Sequence, residues 1–227
     1  MTGHRLLPLL HLCDSLFPTG AFAHSDGLES ATDAGLVASS ADLGAWMDAS
    51  LSQVLAQSDG PAVYLAWRAF RERDWGSLSA VNAETWALRP SAVSRQASRA
   101  MGARLVHTWQ KLYEPAGFDE MFAGIDVDRT MTLAPAFGVV CASMGVEARE
   151  AVEGFIYTRL ASVASAAMRL LPIGQHEAHR VLAARLRSAA SIVDAIVRQP
   201  GVISSFAPAF DIASMSHQYV HSRLFRS

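Results

Sequence analysis

Apolar residues recur at helical spacing along nearly the whole chain, and no stretch alternates apolar with polar residues long enough to predict a β-strand. The clearest run begins after Glu147 and is expected to form the longest helix, ending at Pro172. Its apolar positions are Val152, Phe155, Ile156, Leu160, Val163, Ala167 and Leu170. The sequence therefore predicts an all-α protein, a single compact bundle of about nine or ten helices spanning residues 1–227 as one domain.

Boundary signals divide this pattern into separate helices. Ser39 and Asp42 form a capping pair at the start of one helix, and Ser91 is expected to cap another. Gly145 is expected to close an apolar helix, because glycine readily adopts the left-handed conformation that ends many helices. The stretch Asp59-Gly60-Pro61 is expected to end one helix and to begin the next.

The densest group of turn and capping signals lies in residues 12–29, here called the opening motif. Phe17-Pro18-Thr19-Gly20 has the composition of a tight turn, with proline at its second position and glycine at its fourth. Ser25 and Asp26 can each cap a following helix. From local chemistry alone, the motif is either a recognition surface or an ordinary corner between two helices.

The second conspicuous segment is the tail, residues 210–227, which is expected to be amphipathic from about Phe210 to Phe225. One apolar stripe is expected along it, formed by Ile212, Met215, Tyr219 and Leu224. Such a tail either docks on its own core or becomes ordered in the groove of a partner protein. Residues 117–129 are the best candidate for a linker, being short, mixed and acidic.

Composition limits the classes of function. The 227 residues are 51% hydrophobic and 18% charged, which is typical of a globular protein. A net charge of −2 and a pI near 6.4 offer no basic footprint for nucleic acid. Without a signal peptide, a bilayer-spanning stretch or a paired cysteine framework, the chain is expected to be reduced and cytoplasmic and to make no contact with a membrane.

The sequence contains none of the familiar catalytic motifs. His24, Ser25 and Asp26 are the residue types of a hydrolytic triad, but consecutive side chains diverge, and no Gly-x-Ser-x-Gly elbow is present. Neither a phosphate-binding P-loop nor a Gly-x-Gly-x-x-Gly motif occurs, so any nucleotide must be bound by another chain. The chain is therefore expected not to be an enzyme.

Histidine spacing raises a metal hypothesis. His217 and His221 are four residues apart, and His176 and His179 are three apart, spacings that can place two ligands on one helical face. A zinc site needs three or four ligands, and the His-Glu-x-x-His motif is absent. Two exposed histidines on a helix are the simpler interpretation of 217 and 221, and a helical metalloprotein using all four is the alternative.

Three segments resemble the UreF family of urease accessory proteins. The first is Asp14 to Glu29 in the opening motif, and the second is Ala167 to Gln175, where Ile173 replaces the family's leucine. The third comprises 211–215 and 222–227, with Gln218 after His217 where the family often has glutamate. Because these segments occur in order along the whole chain, the resemblance is specific.

The resemblance implies a non-enzymatic, all-α homodimer without a cofactor of its own. Such proteins bridge the scaffold UreD (also called UreH) and the nickel-carrying GTPase UreG on apo-urease, so that nickel and GTP are handled by the complex. It also implies that the tail is ordered by the scaffold and helps to recruit the GTPase, near the opening motif. The partner-binding residues expected from it are Phe22, His24, Glu29, Arg169, His217, Tyr219, Arg223, Leu224 and Phe225.

Overall fold

The computed structural model describes residues 5–115, 118, 122 and 127–226, and within them the chain forms helices and no strand. The α-helices are α1 (Leu6–Cys13), α2 (Leu28–Asp33), α3 (Ser40–Ala49), α4 (Gly60–Glu72), α5 (Trp75–Ala87), α6 (Ala92–Tyr113), α7 (Val127–Thr130), α8 (Leu133–Ser143), α9 (Ala148–Leu170), α10 (Gln175–Arg198) and α11 (Pro208–Ser216). Nine of these have eight residues or more. The prediction of an all-α bundle is confirmed.

Helix α8 is the centre of the core, buried from Leu133 through Ala142 and packed against α4, α6 and α9. A helix that is apolar all round must be surrounded by protein. Gly138 permits the close crossing with α4, because a Cβ atom at this position would lie 2.2 Å from the carbonyl oxygen of Val63. One contiguous hydrophobic cluster joins α8 to the surrounding helices.

Several boundaries follow the local signals in the sequence. Ser39 and Asp42 form a reciprocal capping box at the start of α3, and the Ser91 hydroxyl accepts from the amide of the third residue of α6. Gly145 has φ +71° after α8, and the next amide, of Val146, donates to the Cys141 carbonyl at 3.0 Å. These contacts are short-range, which explains why sequence alone predicts them.

The prediction that Asp59-Gly60-Pro61 separates two helices is wrong. Residues 50–59 form a wide π-helical segment that runs from α3 directly into α4, and Gly60 keeps right-handed helical angles. Proline has no amide hydrogen for the carbonyl four residues earlier, that of Gln57. The Ser204 amide donates to that carbonyl at 2.9 Å instead, so the chain stays helical through the proline.

Two lengths also differ from expectation. Helix α10 has 24 residues and α9 has 23, so the helix after Glu147 is not the longest, because no proline interrupts α10 before Pro200. Helix α11 ends at Ser216, followed by a 3-10 turn at His217–Tyr219 and irregular backbone, instead of continuing to Phe225. Most of the linker predicted at 117–129 lies outside the described residues.

None of the helices in the described part of the chain combines the length and the apolarity needed to cross a bilayer.

Candidate functional site

The opening motif folds as two successive turns between α1 and α2. The first turn contains Gly20 at φ +81°, where a Cβ atom would lie 2.1 Å from the guanidinium of Arg104 on α6. In the second, Asp26 and Gly27 both have positive φ, and the Leu28 amide donates to the Ser25 carbonyl at 3.1 Å. The chain therefore reverses direction tightly just before α2.

Only one of the two predicted caps is present. The Ser25 hydroxyl accepts from the Glu29 amide at 3.4 Å, whereas the N-cap position of α2 is Gly27, which brings no side-chain cap. Asp26 instead forms a salt bridge with Arg159 of α9. Burial lowers the pKa of Arg159 to about 10, so its guanidinium remains charged at neutral pH and can pair with the carboxylate.

Glu29, buried near the start of α2, joins the opening motif to the tail. Its carboxylate accepts hydrogen bonds from His217 Nε2 at 2.7 Å and from the backbone amides of Leu224 at 2.6 Å and Phe225 at 3.3 Å. The amide of Arg226 then donates to the Ala23 carbonyl at 2.7 Å. We call this connection between residues 20–29 and 217–226 the terminal junction.

The guanidinium of Arg169, near the end of α9, lies between two aromatic rings of the terminal junction. Its central carbon is 4.9 Å from the Phe22 ring centroid and 4.3 Å from that of Phe225. Phe22 comes from the opening motif and Phe225 from the tail, so one cation contacts both chain segments. Such contacts contribute ~1 kcal/mol each at partly exposed sites.

Helix α11 docks through the face opposite to the predicted apolar stripe. Phe210, Ala213 and, one turn on, His217 are buried, and the Phe210 ring lies 4.3 Å from that of Trp46. The four residues of the stripe are exposed: Ile212 at 64%, Met215 at 52%, Tyr219 at 80% and Leu224 at 55%. The tail therefore packs on its own chain and still presents apolar side chains to solvent.

His24 lies within the terminal junction among several cations. Burial, followed by the nearby Arg159, Arg226, Arg104 and His217, lowers the pKa of His24 to about 4. His24 is therefore neutral at pH 7. Protonation would place a fourth positive charge in a group that already holds three guanidinium groups.

A cavity of about 100 Å³, lined by both polar and apolar side chains, lies beneath α11, between α3, α6 and α9. The Asp59–Arg89 salt bridge, 2.6 Å long, and the Asp26–Arg159 salt bridge both line it. Asp211 of α11 also lines the cavity, where burial raises the pKa of its carboxyl group and the positive charge of Arg89 opposes that effect. These carboxylates and guanidinium groups attract one another where α11 packs on the core.

The nine residues expected to bind partners separate into two groups. The exposed ones are Phe22, Arg169, Tyr219, Arg223 and Leu224, which a partner can reach directly. Glu29, His217 and Phe225 are buried and His24 is half-buried, so these four hold the terminal junction together from inside. The structure brings all nine to one region around the two chain ends.

The four histidines of the metal hypothesis occupy different environments. His217 is buried against Glu29 and is separated from His221 by the end of the 3-10 turn, so the prediction of two exposed histidines on one helix is wrong for His217. His176 and His179 are exposed on α10. Within the described residues, no group of three or more His, Cys, Asp or Glu side chains is placed to hold a metal ion.

Sequence reasoning missed the contacts that link distant segments. The pairs Asp26–Arg159 and Asp59–Arg89 join residues 133 and 30 positions apart, and no local pattern indicates either. Gly27 was also missed as a packing site, although its Cβ position lies 3.1 Å from the Ala213 Cβ. The one sequence signal for a tight turn at this position is the Asp-Gly pair before a helix, since both residues tolerate positive φ.

Comparison with known proteins gives a consistent result. Residues 37–186 match the model of the UreF family. The urease accessory protein UreF of Arthrobacter sp. (strain FB24) is 32% identical over 99% of this chain and 98% of its own length, and that of Cupriavidus metallidurans is 30% identical over 98% of each. The bifunctional urease accessory protein UreEF of Bordetella bronchiseptica is 31% identical over 98% of this chain and 52% of its own length.

Proposed function

This chain belongs to the UreF family, and we propose that it is an adaptor in urease maturation, bridging the UreD/UreH scaffold and the UreG GTPase on apo-urease. In this role it supports nickel incorporation as a homodimer in the cytoplasm. Nickel is the cargo of the assembly, GTP is bound by the GTPase, and this chain needs no cofactor of its own. The bifunctional relative places a UreF-like chain and a UreE-like one in a single accessory protein.

The observation that carries the proposal is the terminal junction. Glu29 fixes the tail from inside, while Phe22, Tyr219 and Leu224 stay exposed around it. Aromatic and apolar side chains grouped with arginine are typical of the core of protein–protein interfaces. The junction thus has the chemistry of a rigid docking surface.

An adaptor role is also consistent with the contacts of the polar groups in the terminal junction, which are structural. Asp26, Glu29 and Arg159 pair with one another or with the tail and hold the two chain segments in place. The rival function, a metalloprotein using a histidine cluster, is not supported, because His217 is engaged by Glu29 inside the junction.

Arg223 provides the direct test of partner binding. Its side chain is exposed and forms no salt bridge within the described residues, so Arg223→Ala is expected to leave the fold and scaffold binding unchanged. Because a guanidinium can pair with a carboxylate across an interface, we expect recovery of the GTPase with the complex to fall about ten-fold or more. Co-purification of scaffold and GTPase with the tagged chain measures both.

Arg187→Ala is the matched control, since Arg187 is an exposed arginine of α10 that likewise lacks a salt bridge to the described residues. It should leave recovery of both partners unchanged. Equal recovery of the GTPase with Arg223→Ala and with the unmodified chain would contradict the assigned role of Arg223.

A further inference from the structure

Helix α6 carries an unusual concentration of positive charge. Between Ala92 and Tyr113 it contains five basic side chains and no acidic one. They are Arg95, Arg99, Arg104, His107 and Lys111. Because the whole chain has a net charge of −2, the three arginines and Lys111 of α6 form a local basic region on an otherwise acidic protein.

Four of these basic side chains lie on one open face of α6. On this face the small side chains of Ala100, Ala103 and Thr108 lie among the longer ones of Arg99, Arg104 and Lys111. Lining positions three and four residues apart share one face of a helix. From Arg99 to Lys111 this basic face extends roughly 18 Å along the helix axis.

The contacts of the basic face leave positive charge available. The Arg99 guanidinium lies 5.2 Å from the Trp86 ring centroid, and Arg104 donates to the Thr19 carbonyl at 3.2 Å. Within the described residues, no carboxylate forms a salt bridge with Arg99, Arg104 or Lys111. The described residues therefore supply no carboxylate partner to these three charges.

We propose that the basic face of α6 binds an acidic segment of a partner protein in the maturation complex, with carboxylates repeated at about one helical turn. The small side chains on this face let a partner backbone approach closely, and the cations beside them select negative charge. Arg104 also contacts Thr19 beside Gly20, so the basic face is continuous with the terminal junction and one partner can cover both. This inference rests on the proposed adaptor function.

The partner is a protein and not a nucleic acid. Nucleic-acid sites combine a basic overall charge with a stripe that follows the phosphates, often with aromatic side chains for stacking. Here the chain is acidic overall, and alanine and threonine lie among the cations of the face, with no Phe, Tyr or Trp side chain among the described residues that line it. A short acidic helix, whose carboxylates can repeat once per turn, fits such a face better than a polyphosphate backbone.

Lys111 permits an unusually clean test, because it is the single lysine in the chain. In the complex assembled from the full chain, scaffold and GTPase, a water-soluble carbodiimide should join the Lys111 amine to a partner carboxylate through an amide bond. Mass spectrometry should then find Lys111 linked to an Asp or Glu of a partner. Lys111→Arg keeps the charge, so it should bind equally well and lose this crosslink.

Reversing the charge tests the contribution to affinity. Lys111→Glu should weaken partner binding about ten-fold at low salt, and the loss should shrink at 0.5 M NaCl, where exposed charges are screened. Arg187→Glu on α10 is the matched control and should change binding less than two-fold. Thermal denaturation of both variants checks that each remains folded.

Three results would overturn the inference while leaving the adaptor function intact. In the first, the complex assembles but Lys111 crosslinks only within its own chain. In the second, Lys111→Glu weakens binding no more than Arg187→Glu. In the third, the unmodified chain captures an oligonucleotide through this face and Lys111→Glu abolishes the capture. If no complex assembles at all, the adaptor function itself fails, and this inference fails with it.

Discussion

At the scale of single residues, Glu29 has the largest structural role in the terminal junction. Its buried carboxylate accepts from one side chain and from two backbone amides of the tail. Hydrogen bonds to a charged group contribute about 1.5–3 kcal/mol each, and a buried donor left unpaired costs a similar amount. One residue of the opening motif therefore determines whether residues 217–226 stay docked.

Glu29→Gln should lower the free energy of unfolding by about 2–4 kcal/mol, because the amide group presents a donor where the tail also donates. Chemical denaturation measures that loss. Hydrogen exchange should show faster exchange at the amides of Leu224 and Phe225, while α8 stays protected. Glu84→Gln, at an exposed position of α5, is the control and should change stability by less than about 0.5 kcal/mol. Equal exchange in the two variants would contradict the role of Glu29.

His24 makes the junction sensitive to acid. Its pKa is about 4 in the folded chain and near 6.5 when unfolded, so the unfolded state binds the proton more readily and stability falls as pH drops through this range. Allowing for the partial exposure of the side chain, the loss between pH 7 and pH 5 is on the order of 1 kcal/mol. His24→Gln cannot titrate and should reduce the pH dependence of the denaturation midpoint by that amount. An unchanged pH dependence of the denaturation midpoint would show that titration of His24 does not cause the loss of stability in acid.

At the scale of elements, the fit of α11 against the turn before α2 depends on Gly27. Its φ of +82° disfavours any side chain, and an added Cβ would also lie 3.1 Å from the Ala213 Cβ. Gly35 has a similar φ of +70° and no atom within 4 Å of the same position. Substitutions at these two glycines therefore distinguish the stability cost of backbone strain from that of a packing clash.

Gly35→Ala should cost about 1 kcal/mol of stability through backbone strain alone. Gly27→Ala should cost at least about 1 kcal/mol more, because it pushes α11 away from α2. Urea denaturation of both variants gives the difference. Equal losses would show that the contact between Gly27 and Ala213 does not hold the tail.

The tail also shows where sequence patterns stop being informative. The apolar residues of the tail occupy two faces of α11. Helical spacing indicates the set containing Ile212 and Met215 as the buried one, but the set containing Phe210 and Ala213 is the one that packs on the core. The energy of docking comes from Trp46 and Glu29, which are distant in sequence. Helical periodicity predicts that such a helix forms, but it does not predict which of its faces is buried.

At the scale of the whole molecule, the all-α class and most helix boundaries could be predicted because caps and apolar spacing act within a few residues. The continuous helix through Pro61 could not be predicted, because the Gln57 carbonyl that the proline leaves without a donor accepts from the amide of Ser204, a residue distant in sequence. Similarity to a known family, and not local chemistry, indicated that the opening motif and the tail belong together. The structure supplies the physical reason, which is one buried carboxylate between them.

The proposed role of this chain is that of an adaptor required for urease maturation. The most direct measurement is reconstitution of urease from its structural subunits and all the other accessory proteins, with and without this chain, followed by assays of bound nickel and urea hydrolysis. We expect both bound nickel and activity to depend on the chain, and Glu29→Gln to lower them while the helical core remains folded. Equal nickel loading and equal activity without the chain would contradict it.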